Sequence, residues 1–184
     1  MPLNLEMAAT TEMVEIALLH LPHAACLVPE KREEKTTEGG LDIVGGYQLI
    51  QKAVLTLLNK GIRVSVFIEP EFAQLDAAKA LGTPVVELHT GTYCNLMGDH
   101  KRKALKKIKK AAAYAAELEL ECHAGHGLGF NTVVPIAEIL EIIELNIGHF
   151  LIGEAIFNGL GNTVKRMRSL IDTARANASK DIPA

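Results

Sequence analysis

The chain has 184 residues, 48% of them apolar, with three cysteines and a formal charge of −3 at pH 7. That length and apolar share suffice for one substantial core, so a single domain over residues 1–184 is expected, and the near-neutral charge excludes a global bias toward nucleic acid or anionic membranes. No run approaches the roughly 18 uninterrupted apolar residues of a membrane span, and the first residues lack the basic-then-apolar pattern of a signal peptide, which predicts a cytoplasmic protein.

In chain order, six short apolar runs each lead through a turn into a helix-patterned segment, the signature of repeated βα units and a parallel sheet. A strand at 3–7 holds Glu6 near its end, and a helix at 11–20 follows; His20 and His23 beyond it read as inert. A strand at 24–28 runs into Glu30-Lys-Arg32 and a long loop with Thr36-Thr-Glu-Gly-Gly40, whose length suits a lid or substrate clamp. A helix at 46–59 carries Leu49, Ile50, Ala53, Val54, Leu57 and Leu58 as a sheet-covering stripe, with Gly61 as its stop. A strand at 62–68 ends at Glu69, whose carboxylate suits the start of a helix at 70–81. The strand at 84–88 carries Glu87 and, by period-two alternation, His89 on the same face. In the helix at 102–117, Ala104, Leu105, Ile108, Ala111, Ala112 and Ala115 face inward and the lysines form a solvated face. A strand at 119–123 meets His123-Ala-Gly-His-Gly-Leu-Gly-Phe130 before a helix at 131–140. The last strand, 143–147, ends in Gly148-His149, a short apolar helix and a helix at 163–177; residues 178–184 are expected to fray.

Ligands of parallel βα folds bind at the carboxyl ends of the strands, and here an ionisable residue stands at each of the six exits. Gly125, Gly127 and Gly129 let the backbone bend around His126, which gains and loses protons near neutral pH without help. Glu6 and His126 are therefore candidates for general base and general acid. The turn at Gly148 and the helix after it could hold a phosphate on free backbone N–H groups, or could only pack the last strand. Three separated cysteines, Cys26, Cys94 and Cys122, predict reduced thiols, and His123 and His126 lack a third ligand nearby, so neither a disulfide nor a metal is expected.

The blocks Asn4-Leu-Glu-Met7, Leu27-Val-Pro-Glu-Lys-Arg32, Thr36-Thr-Glu-Gly-Gly-Leu-Asp42, Glu87-Leu-His-Thr-Gly91, Ala124-Gly-His-Gly-Leu128 and Glu144-Leu-Asn-Ile-Gly-His149 resemble the pyridoxine 5′-phosphate synthase family of vitamin B6 biosynthesis. The resemblance implies a TIM (βα)8-type barrel and a transferase-type enzyme without cofactor. Such an enzyme joins 1-deoxy-D-xylulose 5-phosphate to 3-amino-2-oxopropyl phosphate, releasing phosphate and water. It also implies that Glu6 accepts a proton, His126 donates one and Glu87 stabilises a cationic transition state. Gly127, Gly148 and His149 are implied to contact the aminoketone phosphate, and Thr36 the deoxyxylulose phosphate.

Family members carry two further βα units before the Asn4-Leu-Glu-Met7 block. The chain is therefore expected to form an incomplete barrel of about six units, the C-terminal three-quarters of the family fold, with little or no activity in isolation. Family members also form octamers built from dimers, which implies a homo-oligomer here. Two alternatives stay open. One is another phosphosugar barrel, although a Schiff-base aldolase needs a strand-end lysine and only Lys31 comes close; the other is a non-catalytic phosphate-binding or partner subunit.

Overall fold

Alternating apolar strands and amphipathic helices assemble as the sequence pattern predicts, into one parallel sheet with its helices packed on one face. The computed structural model describes residues 2–29 and 39–181. The elements run β1 (Asn4–Ala8), α1 (Thr11–His20), β2 (Ala24–Val28), α2 (Ile43–Leu58), β3 (Arg63–Ile68), α3 (Phe72–Leu81), β4 (Val85–His89), α4 (Gly91–Asn95), α5 (Gly98–Glu117), β5 (Glu121–Gly125), α6 (Val133–Ala137), β6 (Ile142–Asn146), α7 (His149–Asn158) and α8 (Leu160–Ala178), closed by a 3-10 turn at Ser179–Asp181. The strands lie in the order β1-β2-β3-β4-β5-β6, each parallel to the next, with β1 and β6 outermost. This is an open arc of a βα barrel, in which each crossover lays a helix against the sheet.

Period two divides every strand between two environments. Met7, Ala25, Leu27, Val64, Val66, Ile68, Val86, Leu88, Cys122 and Ala124 face the helices and are buried, forming the core with Ile50, Val54 and Leu57 of α2 and Ile108, Ala111 and Ala115 of α5. The strand pairing aligns the opposite parity across the sheet: Glu6 beside Cys26, Cys26 beside Ser65, Phe67 beside Glu87, Glu87 beside His123, and His123 beside Glu144. The barrel interior is thus lined by polar and ionisable side chains.

Several boundaries differ from the sequence pattern, each for a local reason. Helix α2 begins at Ile43 rather than 46 because Asp42 caps it, accepting the Gly45 N–H at 3.1 Å, and Gly46 kinks it instead of delaying it. Its Leu49 does not join the buried stripe and is 62% exposed. Strand β5 begins at Glu121 rather than 119, because Glu119 turns in the left-handed region at φ 57° and the Leu120 N–H still bonds back to Ala115. That two-residue shift brings Ala124 and Gly125 into the strand and moves His123 from its end to its centre. Helix α4 is absent from the sequence reading, α5 starts at Gly98 rather than 102, α6 ends at Ala137 rather than 140, and residues 179–181 form a helical turn rather than fraying.

Candidate active site

Glu87 is the centre of the interior row. Its side chain is buried, accepts a hydrogen bond from Asn146 Nδ2 at 2.8 Å and lies 3.7 Å from the Cys26 thiol. Burial pushes its carboxyl up to about 7, and the negative charges of Glu6 and Glu144 push the same way, while the hydrogen bonds from Asn146 and Cys26 pull against them. The neighbouring backbone is shaped to admit it: a Cβ on Gly125 would fall 2.1 Å from Glu87 Oε1. Glu6, on the outermost strand, is exposed and opens on the same face.

His126 leaves β5 with φ 74°, followed by Gly127 at φ 80°. A left-handed turn is costly for a non-glycine residue, so its neighbours must hold it. The fully buried Thr90 hydroxyl lies 2.8 Å from the Gly125 carbonyl and 2.6 Å from that of His126, and the Thr90 N–H donates to Gly125 at 2.9 Å. Gly127 is crowded as well: a Cβ there would sit 3.2 Å from Cys94 Cβ. The His126 ring packs beside those of His89 and Phe67, with centroids 5.1 and 6.1 Å away.

His89, at the end of β4, is buried, with Nδ1 2.7 Å from Glu69 Oε1. Glu69 also accepts the Gly40 N–H at 3.2 Å. Burial raises the Glu69 carboxyl, but the hydrogen bond and charge of His89, the Gly40 N–H and the Lys107 charge outweigh it and hold the group below its ordinary value. Glu69 therefore faces His89 rather than serving the start of α3, whose N-cap is Glu71.

Beneath this layer, His123 is clamped between two carboxylates, Nε2 2.7 Å from Glu121 and Nδ1 3.5 Å from Glu144, and Glu121 also pairs with Arg63 at 2.5 Å. This chain crosses β3, β5 and β6 and borders a cavity of about 300 Å³ at the amino ends of the strands, which agrees with a structural role for His123. A separate groove of about 650 Å³, with Asp42, Phe72, Lys107 and Lys110 in its walls, lies among α2, α3 and α5, outside the interior row.

Gly148 caps α7 and His149 begins it, both exposed. Gly148 has φ −106° and open space where a Cβ would be, so neither conformation nor packing demands glycine there. Thr36 and the segment Glu30-Lys-Arg32 lie outside the described residues. The sequence reading missed Asn146, Cys26, Glu121 and Glu144 as members of the interior constellation, and missed the Glu69 to His89 pairing. Alternation marks which side of its own strand each occupies, and it puts Glu121 beside His123 two residues on, but the Glu69 to His89, Asn146 to Glu87 and Cys26 to Glu87 partners stand 20 to 61 residues apart. The three thiols are free, and among the described residues no cluster of three or more metal-ligating side chains exists and no helix is long and apolar enough to cross a membrane.

A parallel βα sheet whose interior and carboxyl ends gather carboxylates, one of them buried, and histidines defines a βα-barrel enzyme. Solved structures agree on the fold: the chain superposes with a TM-score of 0.61 on a chain of the Amycolatopsis orientalis BexX/CysO complex, at 13% identity over 95% of this chain and 64% of that one. A xylose isomerase domain protein from Planctomyces limnophilus gives 0.54, at 11% identity over 92% of this chain and 71% of that one. Residues 1–173 match the model of the pyridoxal phosphate biosynthesis protein PdxJ family, and the chain belongs to that family. Among relatives, the pyridoxine 5′-phosphate synthase of Rhodospirillum rubrum is 61% identical over 95% of this chain and 70% of its own length. That of Zymomonas mobilis is 60% identical over 98% of this chain and 71% of its own length.

Proposed function

We propose that the chain acts as a pyridoxine 5′-phosphate synthase, condensing 1-deoxy-D-xylulose 5-phosphate with 3-amino-2-oxopropyl phosphate and releasing phosphate and water. The observation that carries this reading is Glu87, a buried carboxylate shifted to about 7 inside a polar barrel mouth, within a family whose relatives bear that enzyme's name. Amine condensation, dehydration and ring closure all move protons, and a carboxyl poised near neutral pH serves such steps in either form.

In this reading Glu6 accepts the proton released during condensation, His126 donates to the departing oxygen and ionised Glu87 offsets the positive charge of the iminium-like transition state. Gly127, Gly148 and His149 receive the aminoketone phosphate; the open space at Gly148 and the free N–H groups of the first turn of α7 support that placement. Thr36 is proposed to contact the second phosphate. Phosphate groups remote from the reacting atoms supply binding energy for their orientation. The same reading carries a cytoplasmic homo-oligomer.

The test mixes both substrates with the purified chain and follows pyridoxine 5′-phosphate. Product is expected, at a low rate because exposed Glu6 leaves the row open to water on the β1 side, and Glu6→Gln or His126→Asn lowers that rate by roughly 10²- to 10⁴-fold. Unaltered variants overturn the assigned roles. Phosphate binding without product supports the second reading, a non-catalytic phosphate-binding subunit, which the exposure of Glu6 favours.

A further inference from the structure

We propose that Glu69 and His89 are positioning residues for His126, a carboxylate and imidazole couple that fixes the orientation of the neighbouring ring. The couple combines three observations. His89 is 4% exposed and anchored through Nδ1 to Glu69 at 2.7 Å, so its ring cannot swing. A carboxylate that accepts from Nδ1 selects the tautomer and turns Nε2 to the far side, the orienting device used wherever a histidine must keep one geometry. Glu69 is fixed in turn by the Gly40 N–H. Gly40 approaches the Glu69 backbone so closely that a Cβ there would lie 2.4 Å from its nitrogen, a packing that only glycine allows.

The second observation is where Nε2 ends up. It is buried and has no hydrogen-bond partner among the described residues. An unpaired buried polar atom costs about 1–3 kcal/mol, and an aliphatic side chain would fill the same space without that cost, so pure packing does not account for a histidine here. The third observation is what the ring edges share. A Cβ on Gly91 would lie 2.5 Å from His89 Nε2 and 3.0 Å from His126 Cδ2, so the edges of both imidazoles converge on one glycine, with Phe67 packed edge-on against His89. The centroids of the two histidine rings are 5.1 Å apart at 56°. Any rotation of His89 therefore moves His126, and Glu69 is what prevents rotation. Glu87, two residues before His89 on β4, and Lys107, acting on Glu69 from α5, are the other charged groups nearby.

The catalytic consequence rests on His126 being the proton donor, whereas the geometric claim does not, and the experiment separates the two. Histidine ring NMR spectra of the full chain, with selectively labelled histidines, are compared for the wild type, Glu69→Gln, Glu69→Asp and His89→Gln, alongside kcat and KM. The expected result is that Glu69→Gln and His89→Gln displace the His126 ring resonances at unchanged melting temperature, and that Glu69→Asp restores them toward wild type. With turnover measured, kcat falls roughly 10-fold while KM stays within about twofold. If His89→Gln fails to fold, Glu69→Gln alone supplies the readout, since Glu69 is only partly buried. His126 resonances unchanged in folded Glu69→Gln overturn the proposal. Absence of product from the wild type overturns the functional reading and leaves the spectroscopic comparison to decide this one.

Discussion

At the scale of single residues, Glu87 sets a stability that depends on pH in the direction opposite to most carboxylates. Its folded value of about 7 lies above the 4.5 of an exposed glutamate. Between those values the folded chain holds a proton that the unfolded chain has released, so stability falls as pH rises through the window, and the full cost is present above about pH 7. A shift of this size corresponds to a cost on the order of 3 kcal/mol. Glu87→Gln is therefore expected to melt higher than the wild type at pH 8 and alongside it near pH 4, as thermal melts across that range would show. Equal melting temperatures at pH 8 would contradict the burial argument. Asn146→Leu removes the hydrogen bond that pulls the carboxyl down, and should move the transition between the two regimes to higher pH.

At the scale of elements, the strands were legible because each repeats a period of two with an apolar face; of the candidate residues, His126 stands directly beyond β5, whereas Glu6 and Glu87 lie at the centres of β1 and β4 rather than at their ends. What alternation could not supply was pairing. Glu121 and His123 share a face of β5 by alternation, but Glu144 reaches His123 only because β6 lies beside β5, and the two-residue displacement of β5 came from a left-handed turn at Glu119 that no local pattern announces. Helix α4 escaped because it is five residues long, held by the buried Tyr93, whose hydroxyl donates to the Thr132 carbonyl at 3.1 Å. The glycines of β5 and α7 offer a contrast that tests this account. Gly125→Ala places a methyl against Glu87 and is expected to destabilise by about 1–3 kcal/mol through displacement of that side chain. Gly153→Ala, in α7 with nothing within 4 Å of the new atom, is expected to be neutral or to stabilise by up to about 1 kcal/mol. Denaturant melts of the two variants read the difference directly.

At the scale of the whole molecule, the sheet ends on both sides in a strand with one neighbour, and unpaired strand edges template association. Helix α7 adds to this: it is apolar nearly all round, yet none of its residues is buried, and Ile152, Ile156 and Phe157 are 62%, 78% and 86% exposed. Leu160 and Val164 extend the patch onto α8. Helices of this composition are stable in water only when something covers them, because contiguous apolar surface of several hundred Å² is rare on monomers. The chain is accordingly expected to self-associate, with a mass by light scattering that rises with concentration above that of one chain. Ile156→Glu combined with Phe157→Glu should shift it toward the monomer without altering the circular dichroism spectrum, since both side chains point away from the core. A single-chain mass at every concentration would remove this expectation. Because α7 starts at Gly148 and His149, association through it would also dry the surroundings of the proposed phosphate cradle, so the double variant should weaken phosphate binding even though neither residue belongs to the cradle.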